Sequence, residues 1–567
     1  MKPRLFTIFL LLVLPMLLMG ALNARTNAMM PAEVTTGTTT RVSVASDGTQ
    51  GNGGSAWSAI SADGRYVAFG SLASNLVLGD TNSRRDIFVH DRQTAQTSRV
   101  SVASDGTQAN NSSNYPSISA DGRYVAFESG AGNLIPCDTN DDWQVDVFVH
   151  DQQTGQISCV SVASDGTQGN GWSENPSISA NGRYVAFESW ATNLVPGDTN
   201  GTADVFVRDR QTGQTSRVSI ASDGTQGNSN SGDPSLKGPS ISADGRYVAF
   251  TSWATNLVPG DTNGWTDVFV HDRQTGQTSR LSVASDGTQG NNGSEDPSIS
   301  ADGRYVAFRS AASNLVPGDT NGWADVFVHD RQTGQTSRIS VASDGTQGNH
   351  WSQNPSISAD GRYVAFHSRA NNLAPGDANG YTYNVFVHDR QTGQTSRVSV
   401  ASDGTQGNGG SLAPSISADG RYVAFHSGAS NLVPGDTNGA TDVFVHERDS
   451  LLPSLIANYP DGQSGSFFTL IGSDFPPNIA ATVVINGVIL TEALMIDSSG
   501  SITFLLDTSQ ADPGSYFVTL TANSTATTGF ILDPTAPLRP QEGSGTILDV
   551  PGGIAFTRFV YLPVVRR

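Results

Sequence analysis

The chain has 567 residues, of which 52 are acidic and 32 are Lys or Arg, giving a formal net charge of −20. Most of a surface of this sign repels a polyanion such as nucleic acid, so we expect no nucleic-acid partner. Apart from Lys2 and Lys237 every basic residue is an arginine, usually at a repeated position, which favours structural ion pairs over a basic binding patch.

Residues 1–28 have the layout of a secretory signal peptide. Lys2 and Arg4 precede an apolar stretch over 5–19, and small residues follow it. An uncleaved membrane anchor is the alternative, but this stretch, interrupted by Pro15, falls short of the roughly 20 apolar residues that span a bilayer. The pattern predicts a secreted protein, extracellular or periplasmic in the cell envelope, with no membrane span once the signal is removed.

A phrase built on S-R-V-S-V-A-S-D-G-T-Q recurs seven times. Its copies are spaced by 58 to 63 residues and show no helical periodicity, which is typical of propeller blades and not of a helical solenoid. Its arginine slot is filled at Arg41, Arg99, Cys159, Arg217, Arg280, Arg338 and Arg397.

Each repeat predicts four short strands separated by turn residues. From the fourth repeat to the fifth these are Pro239–Ala243, Arg246–Ser252, Asp267–His271 and Ser279–Ser285. Four antiparallel strands of this kind make one propeller blade.

The two ends of the repeat region predict how it closes. The first element, Arg41–Ser46, is a fourth strand, and the last, Asp442–Glu447, is a third strand. The amino-terminal strand is therefore expected to complete the seventh blade and to remove two open sheet edges. The predicted fold is all-β, with a seven-bladed propeller over 40–447 and a small β-sandwich after it.

A family resemblance rests on the phrase S-A-D-G-R-Y-V-A-F at 61–69 and its six copies. It resembles the S-P-D-G-K-x-I-A-F phrase of TolB-type, WD40-like (PD40) propeller repeats, with Ala where that family usually has Pro. The resemblance covers about 40–447. It implies a propeller scaffold that binds a protein or another ligand, without naming the partner.

Residues 451–533 lose the repeat and gain Gly, Thr, Ser and β-branched alternation. Gly465–Phe475, Val483–Gly487 and Pro513–Leu520 resemble the IPT/TIG type of immunoglobulin-like domain, which implies a spacer or interaction module. Residues 534–567 are interpreted as a linker, up to Gly553, and an apolar tail with a basic end.

Comparison of the repeats with one another locates the predicted binding face. Variation gathers in the fourth-to-first and second-to-third connections, which emerge on the same face because successive strands alternate in direction. Tryptophan suits stacking on sugars or anchoring a protein, so this face is predicted to bind a protein or carbohydrate ligand. The alternative is that the rings cover the ends of the blade cores. All eight tryptophans lie on this face: Trp57, Trp143, Trp172, Trp190, Trp253, Trp265, Trp323 and Trp351.

An Asp-x-Asn-Gly-x-x-Asp phrase in four repeats is a candidate calcium loop, because calcium takes six to eight oxygen ligands. The bidentate Glu that closes such loops is missing, and an Asx turn explains the same residues. No other cofactor is expected. The candidate ligands are Asp198, Asn200 and Asp204; Asp261, Asn263 and Asp267; Asp319, Asn321 and Asp325; and Asp436, Asn438 and Asp442.

Two other repeated features are interpreted structurally. Six histidines fill one slot of the third strand and are expected to be solvated or hydrogen-bonded, since separate blades keep them too far apart to share a metal. Cys137 and Cys159 lie in one repeat of a protein bound for an oxidising compartment. A disulfide and two separate cysteines both stay open, because the strand order places them near opposite ends of a blade.

Catalytic signatures are sparse in the sequence. The chain has no G-x-S-x-G elbow, and no repeat carries a paired carboxylate or a base that stands out. The prediction is therefore a monomeric binding or scaffold protein that is not an enzyme. The alternatives are a secreted hydrolase or lyase acting at the central channel and a calcium-stabilised structural envelope protein.

Overall fold

The structure is a computed structural model. Contacts group Thr36–Arg567 into one unit, and the predicted signal peptide lies outside the described residues. The described part of the chain is all-β, and none of it forms a helix long and apolar enough to cross a membrane. The structure describes residues 37–135, 144–232, 237–448, 454–473, 475, 480–497, 501–522 and 525–555.

Seven four-stranded antiparallel sheets follow the repeats, and we number them in the chain order of their first strands. The first strands are β2 (Ser55–Ile60), β6 (Ser113–Ile118), β10 (Ser173–Ile178), β14 (Ser240–Ile241), β18 (Ser294–Ile299), β22 (Ser352–Ile357) and β26 (Ser411–Ile416). The second strands are β3 (Tyr66–Ser71), β7 (Tyr124–Ser129), β11 (Tyr184–Ser189), β15 (Tyr247–Ser252), β19 (Tyr305–Ser310), β23 (Tyr363–Ser368) and β27 (Tyr422–Ser427).

The third strands are β4 (Asp86–Asp91), β8 (Asp146–Asp151), β12 (Asp204–Asp209), β16 (Asp267–Asp272), β20 (Asp325–Asp330), β24 (Asn384–Asp389) and β28 (Asp442–Glu447). The fourth strands are β5 (Gln96–Arg99), β9 (Ile157–Cys159), β13 (Gln214–Arg217), β17 (Gln277–Arg280), β21 (Gln335–Arg338), β25 (Thr395–Arg397) and, in sheet seven, β1 (Thr38–Arg41).

The hydrophobic cores lie between neighbouring sheets. The Y-V-A-F strand is apolar on both faces, and Val67, Ala68 and Phe69 have no exposed surface. One core unites Phe69 and Phe88 of sheet one with Val443 and Val445 of sheet seven. A strand that is apolar on both faces is buried only when its sheet has a neighbouring sheet on each side. The apolar second strands therefore dictate stacking of the sheets.

A recurring contact joins each sheet to the next through the glycine turn after the first strand, with Gln152 of sheet two in the place of an arginine. Gly64 adopts a left-handed φ of +73, and a Cβ on it would lie 2.1 Å from the ring of Tyr422 in sheet seven. Arg92 stacks over the same ring at 4.5 Å and donates from a terminal nitrogen to the Gly64 carbonyl at 2.7 Å. The glycine is required both by its φ and by the close approach of the tyrosine.

Backbone hydrogen bonds also link the sheets in sequence. Each bond runs from the amide of an alanine to the carbonyl of the equivalent alanine in the next sheet, over 2.9 to 3.1 Å, and the last returns to the first. The participants are Ala62, Ala120, Ala180, Ala243, Ala301, Ala359 and Ala418.

The fourth strands differ from the prediction. Sheet four has Gln277–Arg280 in place of the predicted Ser279–Ser285, and β1 ends at Arg41 where the predicted strand begins. The reason is a tight turn, in which the Val283 amide donates to the Leu281 carbonyl at 2.8 Å. Val283 then forms an isolated bridge with Gln289, so the apolar alternation past Arg280 belongs to a folded turn.

Two further sheets follow the repeats. One has the strand order β29 (Ser454–Ala457), β31 (Phe467–Ser473), β34 (Ile502–Asp507), β37 (Thr546–Asp549). The other has the order β30 (Asp461–Gly462), β36 (Thr525–Leu532), β35 (Gly514–Thr521), β32 (Ala480–Ile485), β33 (Val488–Met495). They share one core that includes Phe468, Phe504 and Tyr516. The stretch before Gly553 that was predicted as a linker contains β37, which pairs in parallel with β34.

Candidate ligand-binding pocket

A cavity of about 550 Å³ is walled by residues from the first strands of all seven sheets or the segments beside them, and we call it the first-strand pocket. Its volume lies in the range that takes a small-molecule ligand. Its lining includes Trp57, Tyr115, Asn175, Lys237, Gly238, Asp296, Arg309, Gln353, Asn354, His367, Ala413 and His426.

A bulge in six of the first strands places one residue of each in the pocket lining. In sheet one the pairing register shifts between Ala56 and Ala59, and Trp57 between them has a φ of 53. A left-handed φ on a residue other than glycine costs about 1–3 kcal/mol and persists where the surrounding structure imposes it. The bulge residues are Trp57, Tyr115, Asn175, Asp296, Asn354 and Ala413.

The pocket side of the sheets is where the repeat departs from itself. The bulge residues are of five types, and the residue between the conserved Phe and Ser of each second strand also varies, although Val-Ala-Phe before it is identical in all seven sheets. These second-strand residues are Gly70, Glu128, Glu188, Thr251, Arg309, His367 and His426. Three of them, Arg309, His367 and His426, line the pocket, so chemically different groups face it from different sheets.

Two buried carboxyl groups meet at Asn175. The Asn175 amide donates to Glu128 Oε2 at 3.0 Å, and its side-chain Nδ2 donates to Glu188 Oε2 at 3.3 Å. Burial raises the pKa of Glu128 to about 7. Glu128 of sheet two and Glu188 of sheet three therefore both contact one residue of the pocket lining, Asn175.

A cationic group faces the pocket from sheets four and five. Lys237 donates from Nζ to the Pro355 carbonyl at 2.7 Å, and its backbone amide donates to Asp296 Oδ1 at 3.0 Å. Burial lowers the pKa of Lys237 to about 8 and raises that of Asp296. Arg309 forms an ion pair with Glu295, and its Nε lies 3.7 Å from Asp296.

Two buried histidines complete the lining. His367 Nδ1 accepts a bond from the Ala413 amide at 3.2 Å, so Nε2 carries the proton, and no described residue accepts it. His426 Nδ1 likewise has no hydrogen-bond partner among the described residues. Burial lowers the pKa of His367 to about 3 and that of His426 to about 4, so both rings are neutral near pH 7. Unpaired buried polar atoms of this kind suit hydrogen bonds to a ligand.

The predicted tryptophans have different surroundings. Trp57 lines the pocket, under Arg85 at 4.4 Å and beside Tyr115 at 4.6 Å. Trp323 and Trp351, from adjacent sheets, contact each other edge to face at 5.1 Å. Trp143 lies outside the described residues. Four others, Trp172, Trp190, Trp253 and Trp265, have no ring contact within the described chain. A ligand-binding role for all eight stays a prediction.

The candidate calcium ligands already receive hydrogen bonds from protein donors. In sheet three Gln226 Nε2 donates to Asp198 at 2.8 Å and to Asp204 at 3.0 Å, and Arg217 lies 3.3 Å from both carboxylates. The Asp-x-Asn phrases of sheets four, five and seven are bonded in the same way. Calcium would have to displace these donors. Among the described residues no group of three or more His, Cys, Asp or Glu is placed to hold a metal ion, and calcium stays a prediction.

The repeated histidines are buried and hydrogen-bonded. His271 Nδ1 lies 2.8 Å from Thr278 Oγ1, and the same contact recurs in most sheets. In sheet two Ile157 replaces the threonine, and His150 Nδ1 has no partner among the described residues. Cys137 lies outside the described residues, so the Cys137–Cys159 disulfide stays a prediction.

Comparisons with known proteins give no match to a family model or to a curated protein. Solved structures similar to the chain include an oligogalacturonate lyase in complex with manganese, at 13% identity and TM-score 0.43, over 72% of this chain and 93% of that one. TolB from Acinetobacter baumannii is similar at 16% identity and TM-score 0.33, over 64% and 76%. A Mycobacterium tuberculosis puromycin-hydrolyzing peptidase is similar at 13% and 0.40, over 77% and 61%.

These comparisons bear on two predictions. The TolB-type resemblance is confirmed at the level of repeated four-stranded antiparallel sheets, whereas the IPT/TIG family of the C-terminal part stays a prediction. The prediction that the chain is not an enzyme is contradicted, because the similar structures include a lyase and a peptidase.

Proposed function

We propose that sheets one to seven form a closed seven-bladed propeller and that the C-terminal sheets are an IPT/TIG-like sandwich. Three observations support closure: β1 pairs with β28, the alanine hydrogen bonds return to sheet one, and Thr39 Oγ1 lies 2.8 Å from His446 Nδ1 across the last pair. Deleting 37–41 is expected to lower the thermal unfolding midpoint and to cause association through the exposed β28 edge. An unchanged midpoint and a monomeric elution volume would contradict closure.

The propeller is proposed to act outside the cytoplasm, as a secreted or cell-surface binding protein. The signal-like residues 1–28 support this location. Fusing 1–28 to a reporter that is active only after export tests it, and a reporter retained in the cytoplasm contradicts it.

The function that the geometry supports best is capture of one protein or glycan ligand in the first-strand pocket. The observation that carries this proposal is that seven nearly identical sheets differ from one another where they line the pocket. Repeated equivalent loops would bind several copies of a ligand, whereas walls of different chemistry define a single asymmetric site. The unpaired His367 Nε2 and the Lys237 ammonium group, both in the lining, supply polar recognition.

Screening oligosaccharides and peptides by thermal shift, followed by titration calorimetry of the hits, tests this function. The expected stoichiometry is one ligand per chain, with affinity lowered about tenfold or more by His367→Ala or Lys237→Met. Leu78→Ala, at a fully exposed loop residue outside the pocket, is the control. Several ligands per chain, or equal affinity in the pocket variants, would contradict the proposal.

Turnover of the ligand by a hydrolase or lyase reaction is the second candidate function. It is favoured by Glu128, whose pKa of about 7 suits proton transfer near neutral pH and whose Oε2 accepts a hydrogen bond from the backbone amide of the lining residue Asn175. Product release from any ligand found above, followed by chromatography, tests it. Glu128→Gln is expected to abolish turnover while the ligand still binds.

A further inference from the structure

A chain of rings and one guanidinium runs from the first-strand pocket over sheets five and six. We call it the aromatic track. It begins at the pocket residue His367 and ends at an exposed tyrosine. Its members, in spatial order, are His367, Tyr383, Arg369, Trp351, Trp323, His350 and Tyr381.

Successive members of the track are in contact. At the pocket end the His367 and Tyr383 rings meet edge to face at 5.0 Å, and Arg369 stacks over Tyr383 at 4.5 Å. Arg369 also lies 5.9 Å from the Trp351 ring. The pocket is joined to this end by a second contact, since Gln353 Nε2 donates to the Tyr383 hydroxyl at 3.2 Å.

The outer end of the track is an exposed ring cluster. Trp323 stacks on His350 at 4.4 Å with an angle of 7° between the planes, and His350 contacts Tyr381 at 4.9 Å. Trp323, Trp351 and Tyr381 keep 37%, 39% and 58% of their surface exposed. Rings that only cover a core end would be buried, whereas these are held in fixed orientations with their surface open to solvent.

Charge distinguishes the occupant. Arg369 forms no ion pair and no side-chain hydrogen bond with the described residues, although its Nε is buried. Other half-buried arginines of the repeats have an acceptor, since Arg217 pairs with Asp198 and Arg273 donates to the Gly245 carbonyl. In a chain of net charge −20, a half-buried guanidinium without a carboxylate partner is complementary to an anionic group on a ligand.

We propose that the aromatic track binds an acidic oligosaccharide that extends out of the first-strand pocket. The proposal rests on the proposed pocket function and names its ligand class as a chain of sugars carrying carboxylates. The rings stack on the apolar faces of successive sugars, and Arg369 pairs with one carboxylate. One end of the oligosaccharide lies in the pocket, so longer chains bind more tightly.

The chain provides matched controls for the track. Trp172 and Trp265 occupy the same repeat positions as Trp351 and Trp323, since G-N-x-W-S and D-T-N-G-W recur around them. Both are exposed, at 55% and 48%, but neither belongs to a ring cluster in the described chain. Any general effect of removing an exposed indole appears in these controls as well.

Calorimetric titration with alginate fragments of two, four and eight sugars tests the proposal. The same fragments with their carboxylates reduced to alcohols provide the neutral comparison. Wild-type affinity is expected to rise with fragment length by about tenfold, and Trp323→Ala and Trp351→Ala are expected to remove this rise. Arg369→Gln is expected to abolish the preference for charged fragments. Trp172→Ala and Trp265→Ala are expected to keep both properties.

Three results would contradict the proposal for the aromatic track. These are affinity independent of length, equal losses in the control variants, and equal binding of neutral and charged fragments. If the screen finds a pocket ligand that His367→Ala weakens but that is a peptide or a neutral sugar, the track proposal fails while the pocket function stands. If alginate fragments bind, and Trp323→Ala and Trp351→Ala weaken this binding while His367→Ala and Lys237→Met do not, the pocket function fails.

Discussion

The contact between sheets and the wall of the first-strand pocket belong to the same seven repeats but obey opposite rules. In the contact, Gly64 and Tyr422 have equivalents of nearly the same geometry around the sheets, and a Cβ on each glycine would lie 2.1 to 2.2 Å from the tyrosine ring. In the pocket wall, the bulge residues range from Trp57 to Asp296 to Ala413. Positions that are uniform among the repeats hold the sheets together, and positions that vary among the repeats define the site.

The largest expected effect comes from breaking the uniform contact. Gly64→Ala places a Cβ 2.1 Å from Tyr422 at a left-handed φ, and we expect it to lower the free energy of unfolding by about 3 kcal/mol. Gly48→Ala, at a φ of +85 with no atom within 4 Å of the added Cβ, isolates the backbone strain and should cost about 1 kcal/mol. Denaturant unfolding measures both, and equal losses would show that the tyrosine contact contributes nothing.

Glu128, which is hydrogen-bonded to the pocket residue Asn175, is expected to behave in the opposite way, because its burial disfavours its ionised form. The pKa of Glu128 is raised from 4.5 to about 7, so its ionised form disfavours the folded state, and stability falls as pH rises between these values. Glu128→Gln should raise the free energy of unfolding at pH 8 by about 2 kcal/mol and leave it unchanged at pH 4. A variant less stable at pH 8 would place Glu128 among the structural residues.

Exchanging the residues found at one equivalent position in two repeats tests whether the uniform positions serve stability. His271 is buried and neutral, with its pKa lowered to about 4. Protonation of its ring therefore disfavours the folded state, and the free energy of unfolding falls as pH falls from about 6.5 towards 4. In sheet three the same slot holds Arg208, which donates to Thr215 Oγ1 at 3.0 Å and to the Gly213 carbonyl at 2.7 Å.

His271→Arg should therefore keep the stability at pH 7 and recover about 1 kcal/mol at pH 4.5. The reverse variant, Arg208→His, should introduce the same acid sensitivity. Unfolding curves at pH 7 and pH 4.5 test both variants. A loss of stability at pH 4.5 that neither exchange alters would contradict the prediction.

The smallest expected effect is at Asp325. Burial raises its pKa to about 6, and Ser340 and Gln347 donate to its two oxygens. Sheet six has Asn384 at this position, so Asp325→Asn should change the free energy of unfolding by less than about 1 kcal/mol at pH 7. Asp325→Ala removes the acceptor of the Ser340 hydroxyl and one of the two acceptors of Gln347 Nε2, and should cost about 2 kcal/mol. Calorimetric unfolding of the two variants tests this, and equal losses would contradict it.

Much of the scaffold was readable from the repeats. The alternation of apolar residues in Tyr-Val-Ala-Phe, the Asp-Gly turns and the order of phrases at the two ends predicted four strands per sheet, and β28 has the predicted bounds Asp442–Glu447. The predicted fourth strands were displaced, because a tight turn after Leu281 uses apolar residues that alternate as a strand does. These features are local, so a single repeat carries the information.

The pocket was missed, although a signal for it was present. The residue after Val-Ala-Phe differs in most repeats within an otherwise constant phrase, and comparing that position across the seven copies would have located the wall. Variation in the loops drew attention to the tryptophans instead. Of these, Trp57 lines the pocket, and Trp323 and Trp351 join the aromatic track.

The sequence by itself determined the repeated sheets and their strand order, because these depend on spacing within one repeat. Only the tertiary structure decided which residues share a site. Glu128 and Asn175 are 47 residues apart and meet because β7 and β10 lie in neighbouring sheets, with β10 bulged at a left-handed residue that no local pattern reveals. Contacts between sheets depend on how whole sheets pack, and that packing brings residues of all seven sheets to one pocket.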